Sequence, residues 1–347
     1  ISPSIINSRA RLTYTKVEKI LNNDKALQKE YANLVDSIFL MNELADVLIE
    51  KSDKEGRIDL DVKESAIIIG EDGKIDVQSA KRDKAHRIIE EFMIIANVTV
   101  AEYMYYLEAP FVYRVHTKPS EEKLDNFYDF LKGLGVNVKR KREQVYSKTF
   151  QSILKDAENT PYYTIINRVM LRSMQKAKYS PRDLGHFGLS KEHYCHFTSP
   201  IRRYPDLIVH RIIKDLLNGN VNLSKVYGEF VEDCAIQSSE RELVSIEAER
   251  SVDDFYKLLY IENYVGESFD GVISGVTGFG IFVELENGVE GLVKIETLKK
   301  EGAYFIYNKA NYTLSDGNTT YRLGQKVKIC VDSVNLGDKR AEFVLEK

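Results

Sequence analysis

From residue 8 to residue 51, apolar positions recur at helical spacing. Leu12, Val17, Ile20 and Leu21 mark one helix, and Leu34, Ile38, Met41 and Leu48 mark a second. Residues 56–79 switch to the alternation of strands, and AIIIGEDGKIDV predicts a hairpin turning at Glu71-Asp72-Gly73. A long helix is expected from about Arg82 to Leu107. Its middle, FMIIANVTVA, is apolar on every side, the pattern of a helix buried in a domain core. Shorter helices fill 120–178, with an interruption near Pro161. Pro205 and Asp206 suit the first turn of another helix, with a stripe of Ile208, Ile212 and Leu216 and a stop at Asn218-Gly219. The S-x-x-E capping box of Ser239 and Glu242 predicts a further helix that starts there and ends near Tyr264.

The character changes at Val265. GESFDGVISGVTGFGIFVELENGVEGLVKI is rich in glycine and alternates apolar with polar residues. Five strands are predicted, near 267–275, 279–286, 289–294, 325–334 and 340–346, a count that fits a small Greek-key barrel of the OB type. The 299–322 connection is long and carries Tyr304, Tyr307, Tyr312 and Tyr321, which points to a functional segment. The pattern therefore predicts a helix-rich α+β region over 1–264 and an all-β OB-fold barrel over 265–347.

Hydrophobic residues make up 43% of the chain and charged residues 29%, ordinary values for a globular protein. No apolar run approaches the roughly 18 residues of a membrane span. Three widely spaced cysteines argue against a disulfide framework and point to a reducing, cytoplasmic setting. The net charge of −4 hides an asymmetry, because residues 130–215 hold 17 Lys and Arg against 7 Asp and Glu. Such a surplus is either a solvated face or a channel that receives a polyanion such as RNA.

Within that segment, HFTSPIRRYPDLIVHR places Arg202 and Arg203 in a turn between Pro200 and Pro205, directly before a helix. A helix N-terminus offers free N–H groups and a positive dipole end, and a stiff turn can deliver a guanidinium to a phosphate. The structural alternative is that one arginine pairs with Asp206 or Asp183. His186, His193 and His196, with Cys195, have a spacing that matches structural zinc patterns poorly. In the barrel, Phe279 and Phe282 of GFGIF could stack on bases or fill the core. Residues three apart in a regular strand face opposite ways, so a bend at Gly278 or Gly280 is needed to turn both outward. Phe282 is expected to be the more exposed.

GHFGLSKEHYCHFTSPIRRYPDLIVHR resembles the most diagnostic segment of the RNase II/RNase R family of 3′→5′ exoribonucleases, and SRARLTYTKVEKIL and KAHRIIEEFMIIANVTVA agree with it. GVTGFGIFVEL and EGLVKI resemble the S1-type RNA-binding domain. The combination is most similar to the RNase R branch and covers essentially the whole chain. The resemblance implies a processive hydrolase that converts single-stranded RNA to nucleoside 5′-monophosphates. It implies Arg202 at the scissile phosphate, Arg203 in RNA or protein contacts, and Tyr14 against the 3′-terminal nucleotide. Glu91 would touch bases, with Glu90 as its neighbouring alternative, and Glu249 is a weaker candidate. Lys294 stands where S1 domains often carry histidine and could contact phosphate.

One departure is large. The family's metal site is a cluster of aspartates upstream of the tyrosine motif, suited to Mg2+. Here Asp59 and Asp61 lie after Tyr14 and do not match it, and the two upstream cold-shock-type domains are missing. The expectation is a C-terminal portion, monomeric, inactive alone, whose Mg2+ ligands lie upstream of residue 1. A non-catalytic RNA-binding adaptor and a structural scaffold are the rival functions.

Overall fold

The computed structural model describes residues 1–60, 65–80, 82–136, 146–160, 162–220, 222–298, 304–308 and 311–346. Three helices open the chain: α1 (Tyr14–Leu21), α2 (Lys25–Glu30) and α3 (Ala32–Glu55). The two predicted helices are α1 and α3; between them Asn23 at φ 67° and the cap of Asp24 set off the short α2, which the spacing did not mark. The hairpin β1 (Ser65–Ile69) and β2 (Ile75–Ser79) pairs Ile69 with Ile75, and Gly73 at φ +77° makes the predicted turn.

Helix α4 (Lys84–Tyr106) is capped by the Asp83 side chain and runs through the middle of the helical region. The all-round burial expected of its middle is incomplete: Ile94, Val98 and Ala101 are covered, whereas Ile95 remains more than a third exposed. After β3 (Tyr113–Val115) come α5 (Glu121–Gly133), α6 (Ser147–Ala157), α7 (Tyr163–Ser173) and β4 (Lys178–Ser180), which pairs with β3. Helices α8 (Tyr204–Leu217), α9 (Leu223–Tyr227) and α10 (Phe230–Glu262) complete the region.

Helix α10 corrects the capping-box expectation. Its 33 residues run straight through Ser239. The Ser239 hydroxyl donates to the Ala235 carbonyl at 2.7 Å and accepts from the Tyr179 backbone N–H at 3.0 Å, while Glu242 pairs with Arg114 at 2.6 Å. A Ser/Thr motif three residues before a glutamate marks a helix start only where nothing continues the helix upstream, and here the apolar residues Val231, Cys234 and Ala235 do.

The five barrel strands are β5 (Ser268–Thr277), β6 (Gly280–Leu285), β7 (Glu290–Lys294), β11 (Lys326–Asn335) and β12 (Arg340–Leu345), closed in the order β11-β12-β7-β6-β5. A single helical turn, α11 (Ile295–Leu298), follows β7. The connection then forms a small sheet of β8 (Ile306–Asn308), β9 (Thr313–Ser315) and β10 (Thr320–Arg322). Its tyrosines are partly structural: Tyr312 meets Phe130 edge-on and Tyr321 stacks on Phe305. The apolar core is continuous across the change of character at residue 265. Phe127, Phe130, Phe150 and Met170 belong to the same buried cluster as Ile273, Val283 and Phe343 of the barrel.

Gly280 sits at φ +153°, and a Cβ there would lie 2.3 Å from the Val293 carbonyl oxygen of the neighbouring strand. Gly280→Ala is therefore expected to lower stability by about 1–3 kcal/mol. A thermal-unfolding midpoint equal to that of the unaltered protein would contradict this reading of the strand entry.

Candidate functional site

The arginine turn is held from behind by the helix it does not belong to. Asn97 of α4 is 3% exposed, a lone amide in an otherwise apolar stretch. Its Oδ1 accepts from the Phe197 N–H at 3.0 Å and its Nδ2 donates to the Tyr194 hydroxyl at 3.1 Å. The Asn97 carbonyl accepts from the Cys195 thiol at 3.2 Å. Burying an amide is tolerable only with such partners, so residues 194–197 are bound to lie along α4. From the other side, His210 of α8 stacks on Phe197, ring centroids 4.1 Å apart, and its Nε2 contacts the Phe197 carbonyl at 2.9 Å.

The turn itself closes when the Ser199 carbonyl accepts from the N–H groups of Arg202 and Arg203, at 3.3 and 3.0 Å. Asp206 is wholly buried, and its Oδ1 accepts from Ser199 N–H and Arg203 Nη2, both at 2.7 Å. The two arginines thus divide. Arg203 is committed to the protein, the structural alternative that the sequence left open. Arg202 is exposed and makes no side-chain hydrogen bond or ion pair among the described residues. Beside it Ile201 is fully exposed, so the tip of the turn faces outward.

The electrostatics follow from burial. His196 contacts the Tyr179 hydroxyl at 2.9 Å, and its pKa is pushed down to about 2 by burial and then by the nearby Arg203 and Arg114. His186 is pushed down to about 3 by burial and then by His116. Both rings are neutral near pH 7. The histidines do not converge on a metal: His193 bonds Asp183 at 2.5 Å, His196 bonds Tyr179, and Cys195 bonds Asn97.

Tyr14 is the first residue of α1 and is half exposed, so it is no core tyrosine. Its ring stacks on His86 of α4 at 3.9 Å. Glu91, also on α4, departs from the expectation of a base contact. It is 3% exposed, and Arg57, just beyond α3, binds it while also reaching Glu90 at 2.5 Å. A carboxylate so placed is buried because a guanidinium accompanies it. Glu249 is exposed on α10, two helical turns beyond Glu242 and on the same side. Of the basic run, Arg168, Lys191 and Arg203 are in ion pairs, and Lys139, Arg140, Lys141 and Arg142 lie outside the described residues, as does Asp61.

On the barrel, Phe279 and Phe282 do share a face, their rings edge-on at 6.0 Å. Gly280 between them supplies the bend. The order of exposure is the reverse of the expectation: Phe279 is 56% exposed and Phe282 only partly. Phe282 lies within β6 and packs over Gly275 of β5, where an added Cβ would be 3.1 Å from the ring. Phe279 precedes the strand and lacks such cover. Lys294 pairs with Glu342 at 2.5 Å. With Arg250, Lys257 and Arg340, the residues Phe279, Phe282 and Lys294 line a cleft between the barrel and α10.

The RNB domain family matches residues 1–219, and the S1 RNA binding domain family matches residues 263–345. The chain belongs to the RNB family. It is 42% identical to Ribonuclease R of Aquifex aeolicus over 99% of the chain and 49% of that protein. Ribonuclease R of Escherichia coli is 35% identical over 99% of the chain and 43% of its own length. Among solved structures, RNase R of Mycoplasma genitalium in complex with ribose-methylated single-stranded RNA superposes with a TM-score of 0.86 at 30% identity, covering 96% of this chain and 53% of that one. The chain spans less than half the length of these curated relatives.

Asn97 and His210 were not legible as site residues, although Asn97 left a signal as a single amide inside an apolar run. Asp206 was legible only as a possible partner of one arginine, and its burial was not.

The two partly buried histidines make stability depend on pH. Both have folded pKa values below the ordinary 6.5, so their contribution is full above pH 6.5 and is lost as pH falls. Each should remove about 1.4 kcal/mol per pH unit below that point. Chemical denaturation from pH 7 to pH 5 should show the decline, and His196→Gln should make it shallower. An equally steep decline in the variant would count against burial of a neutral His196.

Proposed function

We propose that this chain is the RNA-gripping part of a processive 3′→5′ exoribonuclease, a cytoplasmic monomer that hydrolyses single-stranded RNA to nucleoside 5′-monophosphates. RNB and S1 domains in one chain and relatives named Ribonuclease R support the reading. The observation that carries it is the division of the arginines. A turn with one guanidinium tied to a buried carboxylate and the next left exposed is built to present a cation. Arg202 would meet the phosphate under attack, where its planar fork can bind two oxygens as negative charge grows on them. Tyr14 would stack on the terminal nucleotide. Phe279, with Phe282 behind it, would hold RNA outside the channel, since base stacking on an aromatic ring tolerates any sequence.

The described residues do not fit the Mg2+ that this family reading implies. Among them no group of three or more His, Cys, Asp or Glu side chains could hold a metal. Asp59 is engaged by Arg82 at 3.0 Å and by Arg87 at 3.6 Å. The ion's carboxylate ligands would come from the half of the relatives' length that this chain does not span. That disagreement supports a chain which, taken alone, binds RNA without cutting it.

Incubated with end-labelled single-stranded RNA and magnesium or manganese, the chain should retain RNA on a filter and leave its length unchanged. A metal-dependent ladder of shortened products from pure protein would refute the non-cutting reading. In the full-length protein, Arg202→Ala should slow single-turnover cleavage by about 10²–10³-fold and change RNA affinity little. Equal losses in rate and affinity would instead assign Arg202 to uniform binding.

A further inference from the structure

We propose that Asp206 is a positioning residue, which fixes the turn that presents Arg202 by tying its two stems together. The inference rests on the role of Arg202 proposed above. Asp206 occupies the third position of α8, where an acidic residue ordinarily favours the helix dipole or reaches back to the N-cap N–H. Here it does something else. The N–H of the N-cap residue Arg203 is already taken by the Ser199 carbonyl at 3.0 Å. Asp206 Oδ1 reaches four residues further back, to the N–H of Ser199 at 2.7 Å. The same oxygen accepts from Arg203 Nη2 at 2.7 Å and Nε at 3.2 Å.

One buried oxygen therefore grips the residue at which the turn begins and the residue at which it ends. Between them Pro200 limits one backbone angle, and only Ile201 and Arg202 project. The grip is stiff because the carboxylate is fully buried and cannot exchange its partners for water. It also decides which arginine is presented: neutralising Arg203 leaves Arg202 as the uncompensated cation at the tip. Arg202 does not touch Asp206, so the effect passes through the backbone. A guanidinium that must meet a reacting phosphate loses much of its value when its support is loosened, because catalysis is sensitive to misplacement of about an ångström.

The test uses the full-length protein and two variants that cut the tie differently. Asp206→Asn removes the charge and keeps the shape. Ser199→Pro removes the N–H donor and leaves the Asp206–Arg203 pair intact, so it remains informative if the first variant folds poorly. Each should slow single-turnover cleavage of single-stranded RNA by roughly ten- to hundredfold. RNA affinity should stay close to that of the unaltered protein, and amide hydrogen exchange across residues 199–203 should speed up. In an Arg202→Ala background neither variant should slow the reaction further, since a positioning residue has nothing left to position. An unchanged cleavage rate in folded variants, or a further slowing of the Arg202→Ala protein by the same factor, would overturn the proposal. If Arg202→Ala itself cleaves normally, the role given to Arg202 in cleavage is wrong. In that event exchange across 199–203 alone decides whether Asp206 holds the turn, with unchanged exchange overturning it.

Discussion

The region around the arginine turn depends on one requirement: polar groups buried along α4 must find partners inside the protein. Asn97 meets it by binding the Phe197 N–H and the Tyr194 hydroxyl, which lays residues 194–197 against the helix. Without Asn97 the Phe197 N–H would lose its partner, at a cost of about 1–3 kcal/mol for a buried group. Glu91 meets the same requirement by drawing in Arg57 from the end of α3. His86, near the start of α4, gives Tyr14 a ring to stack on. One helix thus supports the exposed tyrosine and the arginine turn, and from His86 to Asn97 its axis advances about 16 Å.

Charge is organised around the turn by pairing. Arg203 and Asp206 neutralise each other in the interior, and Arg114 pairs with Glu242 of α10 while lying over the Tyr179 ring, 4.7 Å from its centre. The guanidinium groups of Arg203, Arg114 and Arg202 near His196 reinforce the effect of burial and keep that ring neutral. The link from Glu242 through Arg114 and Tyr179 to His196 also ties α10 to the segment leading into the turn. Within the basic run, Arg168, Lys191 and Arg203 are paired with carboxylates, and only the Arg203 pair is drawn into the interior.

The barrel contributes a different kind of rigidity. Its inner residues join a core shared with α5, α6 and α7, so the barrel is braced against the helical region by packing. Glycine shapes its outer face: Gly280 allows the bend that brings two phenylalanines to one side, and Gly275 leaves room for the lower ring. The upper ring, Phe279, stays open because the chain there has not yet entered the strand.

Much of this was legible in the sequence. Periodicity marked α4 and α8, alternation marked the β1–β2 hairpin and the five barrel strands, and the motif around Arg202 carried the family. These features are local or are held by residue order, so they survive without knowledge of the fold. The short α2 was missed and the unbroken course of α10 was misread. Each depends on what packs or caps nearby, and a capping motif looks the same at a helix start and in a helix interior. The burial of Glu91 required Arg57, 34 residues away. Which of two adjacent arginines is presented was decided by Asp206, whose burial no pattern along the chain records. Sequence alone determined the elements and the chemistry available to them. Only the tertiary structure determined which polar groups neutralise one another, because that depends on distances between segments the chain brings together by folding.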